Sequence, residues 1–200
     1  MIEGRGVVVS AQPAEGRSLP VVRGVTTIDA TPYEIMAVIR DVEGHTEWMH
    51  DCLEARLLRS EGERVAFVYN RTDAPWPVAD RDSVLRTEFQ VLEPGVLLRM
   101  RSASIDAPAE PPPADVVRMK RLDVVYTLRA VEPGKTEVEY QIDADPAGNL
   151  PPFLVRRTTR EIPLHTLANL RERVVATRGR YDAWLDRWDP ARGGSEGGGQ

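Results

Sequence analysis

The chain has 200 residues, 42% of them hydrophobic and 28% charged, with a net charge of −5; it can enclose one sizeable core and lacks the basic surface that nucleic acid requires. No apolar run approaches the ~20 residues of a membrane span, and Met1 to Ser10 lacks the apolar centre of a signal peptide. The single cysteine, Cys52, excludes an intrachain disulfide and suits a reducing cytosol, so a cytoplasmic location is expected.

Ile2-Glu3-Gly4-Arg5 matches a protease-site sequence, and residues 1–5 are read as an uninformative N-terminal tail. Gly6 to Ser10 and Leu19 to Ile28 are β-branched runs. Thr31-Pro32-Tyr33-Glu34 signals a helix start, with Thr31 as N-cap, proline at N1 and Glu34 closing a capping box. That helix buries Ile35, Met36 and Ile39 and stops near Gly44.

Alternating segments follow. Leu53 to Arg59 and Arg64 to Arg71 flank Ser60–Glu63 as a hairpin, with Val65, Phe67 and Tyr69 sharing one face. Pro75-Trp76-Pro77 fixes an extended approach to Asp80-Arg81-Asp82, which opens a strand carrying Ser83, Leu85, Thr87 and Phe89 on one side. Leu98 and Met100, then Val124, Tyr126 and Leu128, then Val138, Tyr140 and Ile142 repeat the pattern, separated by Glu-Pro-Gly turns and the proline-rich loop Ala107 to Pro113. Such alternation specifies an antiparallel sheet, apolar on one face and wet on the other. A long C-terminal helix carries Val155, Thr159, Ile162, Thr166, Leu170 and Val174 at spacings of three and four, with Pro163 bending or tightening it. Beyond Gly179, Tyr181, Trp184, Leu185 and Trp188 form a further amphipathic piece, and Gly193 to Gln200 reads as a disordered tail. One sheet with a single apolar face can close only by curling around the long helix, and incomplete filling between them is a pocket.

Four words in this order resemble the START domains, lipid-binding modules of the helix-grip class. They are Asp41 to Met49 with Trp48, Pro75 to Asp82, Val117-Arg118-Met119, and Asp145-Pro146-Ala147-Gly148 followed by Leu150-Pro151. The resemblance covers roughly residues 6–178. It implies an α+β helix-grip fold, a curved antiparallel sheet wrapped around the long C-terminal helix. The expected division is therefore a tail at 1–5, the START-like domain at 6–178, a helical extension at 179–190 and a disordered tail at 191–200. Ala147 replaces the usual first glycine, and Tyr126 stands where many members have tryptophan. The positions of the acidic residue and arginine that anchor sterols in some members fall near Val68 and Thr87 here, so that anchor is not carried over.

The resemblance implies a hydrophobic small molecule or lipid as partner, no cofactor, and transient contact with a membrane surface. At about 0.8 kcal/mol per buried methylene, an acyl chain binds without charged contacts. The candidate ligand-contacting residues are Leu85, Thr87, Phe89, Leu98, Met100, Arg118, Tyr126, Tyr140, Ile162, His165, Thr166 and Leu170. Apolar stripes are more often plain core, whereas hydroxyls are more suggestive because a dry core leaves them unsatisfied. Arg118 offers a planar fork for a carboxylate or phosphate, against pairing with Asp82; Arg81, which alternation places inward at the rim with Ser83 and Leu85, offers a head-group contact against the favoured pairing with Asp80 or Asp82. His45, His50 and His165 lack metal-ligand spacing with one another or with Cys52. No catalytic motif appears. The alternatives are an aromatase/cyclase-type enzyme, using Arg118 or His165 as acid or base, and a subunit presenting a hydrophobic cofactor such as a quinone.

Overall fold

The computed structural model describes residues 2–16, 19–148 and 151–193. Leu150 of the fourth matching word and residues 194–200 of the expected tail lie outside the described residues.

Ten strands form one sheet: β1 (Ile2–Gly4), β2 (Val7–Gln12), β3 (Val21–Ile28), β4 (Cys52–Glu61), β5 (Val65–Thr72), β6 (Asp80–Glu93), β7 (Leu97–Ser104), β8 (Val116–Arg118), β9 (Arg121–Glu132) and β10 (Lys135–Asp145). Their order is β1-β2-β3-β10-β9-β7-β6-β5-β4, antiparallel throughout, except that β8 runs parallel to the first residues of β6. Residues 2–4, expected as part of a tail, pair with Val7–Val9, and Arg5 reaches the C-terminal helix, placing Nη2 2.7 Å from Glu172.

Helix α1 (Pro32–Arg40) begins as the sequence requires: Glu34 N–H donates to Thr31 Oγ1, and Thr31 N–H donates to the Glu34 carboxylate. It ends at Arg40, and the chain continues as a 3-10 turn, Val42–Glu47, through Gly44. Trp48, 2% exposed, anchors the segment after it.

The long C-terminal helix runs from residue 152 to 176 in three parts: α2 (Pro152–Arg156), a wide π turn (Arg157–Glu161) and α3 (Ile162–Ala176). The π turn directly precedes Pro163, whose ring nitrogen has no hydrogen to give the preceding turn. Within this turn Thr159 Oγ1 donates to Val155 O at 2.7 Å. Helix α3 lies against β2, β3 and α1. Its approach to β3 is close enough that a Cβ on Gly24 would meet Leu167 Cδ1 at 2.8 Å. Leu167, Ala168 and Leu170 are fully buried there, so Leu170, a candidate ligand contact, is packed core.

Helix α4 (Asp182–Trp188) turns back onto α1 and Phe89. The Trp188 ring meets Phe89 edge-on at 5.3 Å, and the Trp188 indole donates to Glu63 at 3.2 Å. The two tryptophans cover the end of this chain's own core. Pro190–Arg192 adds a capped 3-10 turn where a tail was expected.

In β5 the faces are reversed from what its apolar residues suggest. Ala66, Val68, Asn70 and Thr72 turn inward, while Phe67 and Tyr69 lie on the outer face beneath Arg59 and Arg56, whose guanidinium groups stand 3.4 and 4.5 Å from the ring centres. Arginine over an aromatic face buries the ring without a core.

Candidate functional site

Between the inward face of the sheet and one side of the C-terminal helix lies a cavity of about 400 Å³, within the usual size of small-molecule sites. Strand register builds its wall in rows. Phe89, Met100, Tyr126 and Tyr140 stand side by side across β6, β7, β9 and β10. Two residues along, Thr87, Ser102, Val124 and Ile142 form the next row. Leu85, Leu122 and Ala144 line the cavity beyond it. From the helix, Ile162 and Thr166 share a face four residues apart and complete the enclosure.

Of the candidate residues, Leu85, Thr87, Phe89, Met100, Tyr126, Tyr140, Ile162 and Thr166 line this space. Leu98, Leu170, Arg118 and His165 do not. Leu98 is fully buried and lies one row past Met100, where α1 packs on β7 and β9 and fills the space. His165 neighbours Thr166 but turns away: its ring lies 4.7 Å from that of His50, and its Nδ1 lies 3.2 Å from Arg5 Nη1. Arg118 sits on β8, opposite Asp82 in register. It donates to that carboxylate through Nε at 2.8 Å and Nη2 at 3.1 Å, and through Nη2 to Glu110 O at 2.8 Å. Its fork is occupied on the outer side of the sheet.

The interior polar groups are neutral. Thr87 and Ser102 hydroxyls lie 2.9 Å apart. Tyr126 and Tyr140 stack at 4.6 Å with 23° between their planes, and burial pushes both phenols well above the ordinary range. The Tyr126 hydroxyl is buried without a well-formed hydrogen bond, a situation natural interiors rarely leave uncompensated. Asn70 donates to Cys52 Sγ at 3.2 Å, and burial raises the Cys52 thiol.

Charged groups occur at the two ends. At one, Arg40, Glu63 and Arg64 surround the end of α1 and the β4–β5 turn. At the other, Asp73, Arg81 and Arg157 meet Pro146 and Leu154. There Arg157 grips the buried Asp51 carboxylate with Nε at 2.7 Å and also with Nη2. His50 N–H donates to Thr166 Oγ1, and Asn169 donates to Trp48 O, so the segment after α1 is fastened to α3. His45 is part-buried and caps the last turn of α1, with Nε2 donating to Ile39 O at 2.8 Å, and burial lowers its pKa.

Sequence reasoning missed Ser102, Asn70, Val124 and Ile142 as cavity residues. Ser102 and Val124 could have been found by extending the parity of Met100 and Tyr126 by two residues toward the strand ends. Asn70 could not, because Phe67 and Tyr69 point the apolar count to the wrong face.

The START domain profile matches residues 4–176. The chain belongs to the START domain family. Among curated proteins this START domain is 34% identical over 166 residues to an uncharacterised protein of Pseudomonas aeruginosa, spanning 83% of this chain and 81% of that one. Among solved structures it resembles a STAR-related lipid transfer protein from Xanthomonas axonopodis, with a TM-score of 0.78 and 27% identity over 88% of this chain and 97% of that one. Human STARD10 matches with a TM-score of 0.79 over 95% of this chain and 78% of that one; at 19% identity the likeness is one of fold. The family profile ends at residue 176, and α4 lies beyond that match.

Proposed function

We propose that this START domain binds a hydrophobic small molecule or lipid in the cavity and exchanges it with a membrane surface. The observation that carries the reading is the unfilled space of about 400 Å³ between the sheet and the C-terminal helix. Its walls are mainly apolar, and its interior polar groups are hydroxyls, phenols and an amide without a charged group among them. An aliphatic chain gains about 0.8 kcal/mol for each methylene it buries against such walls. The similarity to a STAR-related lipid transfer protein supports the same reading.

Exchange with a membrane is supported at one end of the cavity. Trp76 is 92% exposed and lies two residues from Ala74, which lines the cavity. Phe153 is also exposed, beside the lining residue Leu154. Indole and phenyl groups presented to solvent next to an opening suit the interfacial region of a bilayer.

The enzyme reading named Arg118 and His165 as acid or base, and neither reaches the cavity. Native mass spectrometry of protein purified from cells tests the binding reading. Co-purified lipid, or uptake of fluorescent fatty acid, phospholipid or sterol at one equivalent, is expected. Repeated recovery of empty protein that takes up none of these would overturn it.

A further inference from the structure

We propose that Arg81 receives the anionic head group, a carboxylate or phosphate, of an amphiphile whose tail lies in the cavity; the inference rests on the binding reading above. Its ground is the pairing of the charges around the Asp80-Arg81-Asp82 triplet. Successive residues of a strand face opposite sides. Asp80 and Asp82 therefore turn outward, while Arg81 shares the inward side with Leu85, Thr87 and Phe89 and lines the cavity. The triplet cannot neutralise itself, contrary to what its sequence suggests.

Each outward carboxylate is already taken. Asp80 accepts from Arg71 Nε and Nη2, at 2.8 and 2.6 Å, and from Ala74 N–H at 3.0 Å. Asp82 accepts both bonds of the Arg118 fork. At the same end of the cavity Arg157 is held by Asp51, with Asp73 3.6 Å away. Arg81 alone of these arginines forms no ion pair among the described residues. Its Nε donates to Pro146 O at 3.3 Å and its Nη1 to Ala79 O, both neutral carbonyls. A guanidinium carries five N–H donors, so most of its donors remain for a ligand. Partial burial disfavours its charge and lowers its pKa, with only the neighbouring Asp80 acting against it. An entering anion would supply the missing compensation.

The opposite end does not offer the same thing. Arg40 lies 4.7 Å from the Trp184 ring centre and donates to Glu63 O, and Arg64 lies 5.2 Å from the Trp188 ring centre. Both cations are occupied by aromatic faces. Between the two ends the wall is uncharged, so a charged head stays at Arg81 while the tail follows β6 past Leu85 and Thr87 toward Phe89. From Arg81 to Phe89 the strand extends about 26 Å, long enough to accommodate an extended acyl chain alongside it.

The test compares three probes of equal tail by isothermal titration calorimetry on the full chain: dodecanoate, dodecyl phosphate and dodecan-1-ol. Wild-type protein should bind at least one of the two anions about tenfold or more tighter than the alcohol. Arg81→Gln should weaken that anion by about 10- to 100-fold, as expected for a charge-assisted hydrogen bond, and leave the alcohol unchanged. Selective loss of dodecanoate identifies a carboxylate head, and selective loss of dodecyl phosphate a phosphate. Equal loss on all three probes, or no loss on either anion, overturns the proposal. If the variant does not fold, the wild-type ratio decides: alcohol bound as tightly as both anions overturns it. Binding of none of the three by wild-type protein refutes the underlying binding reading instead.

Discussion

If the space between sheet and helix is a true cavity, enlarging a side chain into it should be harmless where the same enlargement in the core is not. Ala66 lines the cavity from β5, opposite Thr87 in register. Ala168 on α3 has no exposed surface and belongs to the main core. Substitution of either by leucine adds three carbons. At Ala66 they enter empty space and bury apolar surface, worth up to about 2 kcal/mol at roughly 0.8 kcal/mol per carbon. At Ala168 they force neighbours off their rotamers, costing about 1–3 kcal/mol. The two variants should therefore differ by roughly 2–4 kcal/mol. For a domain of this size each kcal/mol moves Tm by about 2–4 °C, so their melting temperatures should separate by about 5–15 °C. Thermal unfolding of delipidated protein by circular dichroism measures this, and Ala66→Leu should also lose ligand uptake. An Ala66→Leu protein as destabilised as Ala168→Leu would refute the reasoning, because the space would then be filled.

Alkaline pH should weaken the fold. Burial, with the hydrogen bond to Asp41, pushes the Tyr181 phenol up to about 12, and burial also raises Tyr126 and Tyr140 well above the ordinary range. The unfolded chain releases these protons near 10, so the stabilisation is complete below about pH 10 and is lost as pH rises through about 12. Denaturant titrations across that window should show falling stability, with a shallower fall in Tyr181→Phe; a level profile contradicts the argument. Ala147 holds φ at +62° where the family pattern has glycine. Ala147→Gly should relieve about 1–2 kcal/mol of left-handed strain and lose about 0.5–1 kcal/mol to greater unfolded freedom. A net gain of about 0.5–1 kcal/mol in chemical denaturation is expected, and a less stable variant would refute the strain assignment.

The framework was legible because local rules and burial agreed in it. Thr31 and Glu34 cap α1 by chemistry that needs no tertiary partner, and Tyr126 and Tyr140 alternate with polar neighbours on strands whose outer face meets water. Reading failed where a distant element chose between equivalent positions. Met100 and Leu98 share a face of β7, yet one borders space and the other is packed, because α1 crosses only the second. Thr166 and His165 are adjacent on α3, and the helix turn sends one to the cavity and the other toward Arg5. In β5 the error came from equating apolar with inward: Arg56 and Arg59 cover Tyr69 and Phe67 from outside, and no periodicity reveals a lid made of arginine.

The triplet Asp80-Arg81-Asp82 joins both lessons. Composition suggests that three charges in a row neutralise one another, but strand geometry forbids it by placing the arginine and its neighbours on opposite faces. Pairing must then come from other strands. Arg71 on β5 and Arg118 on β8 reach the aspartates because they stand beside β6 on the outer side. On the inner side the adjacent positions are Thr72 across the ladder and the Pro146 carbonyl, neither of which carries charge. A sheet that neutralises its outer arginines and leaves an inner one with carbonyls places a positive charge without an ion-pair partner at one end of a cavity whose middle is uncharged. That polarity orients an amphiphile, head at Arg81 and tail toward Phe89, before any close contact forms.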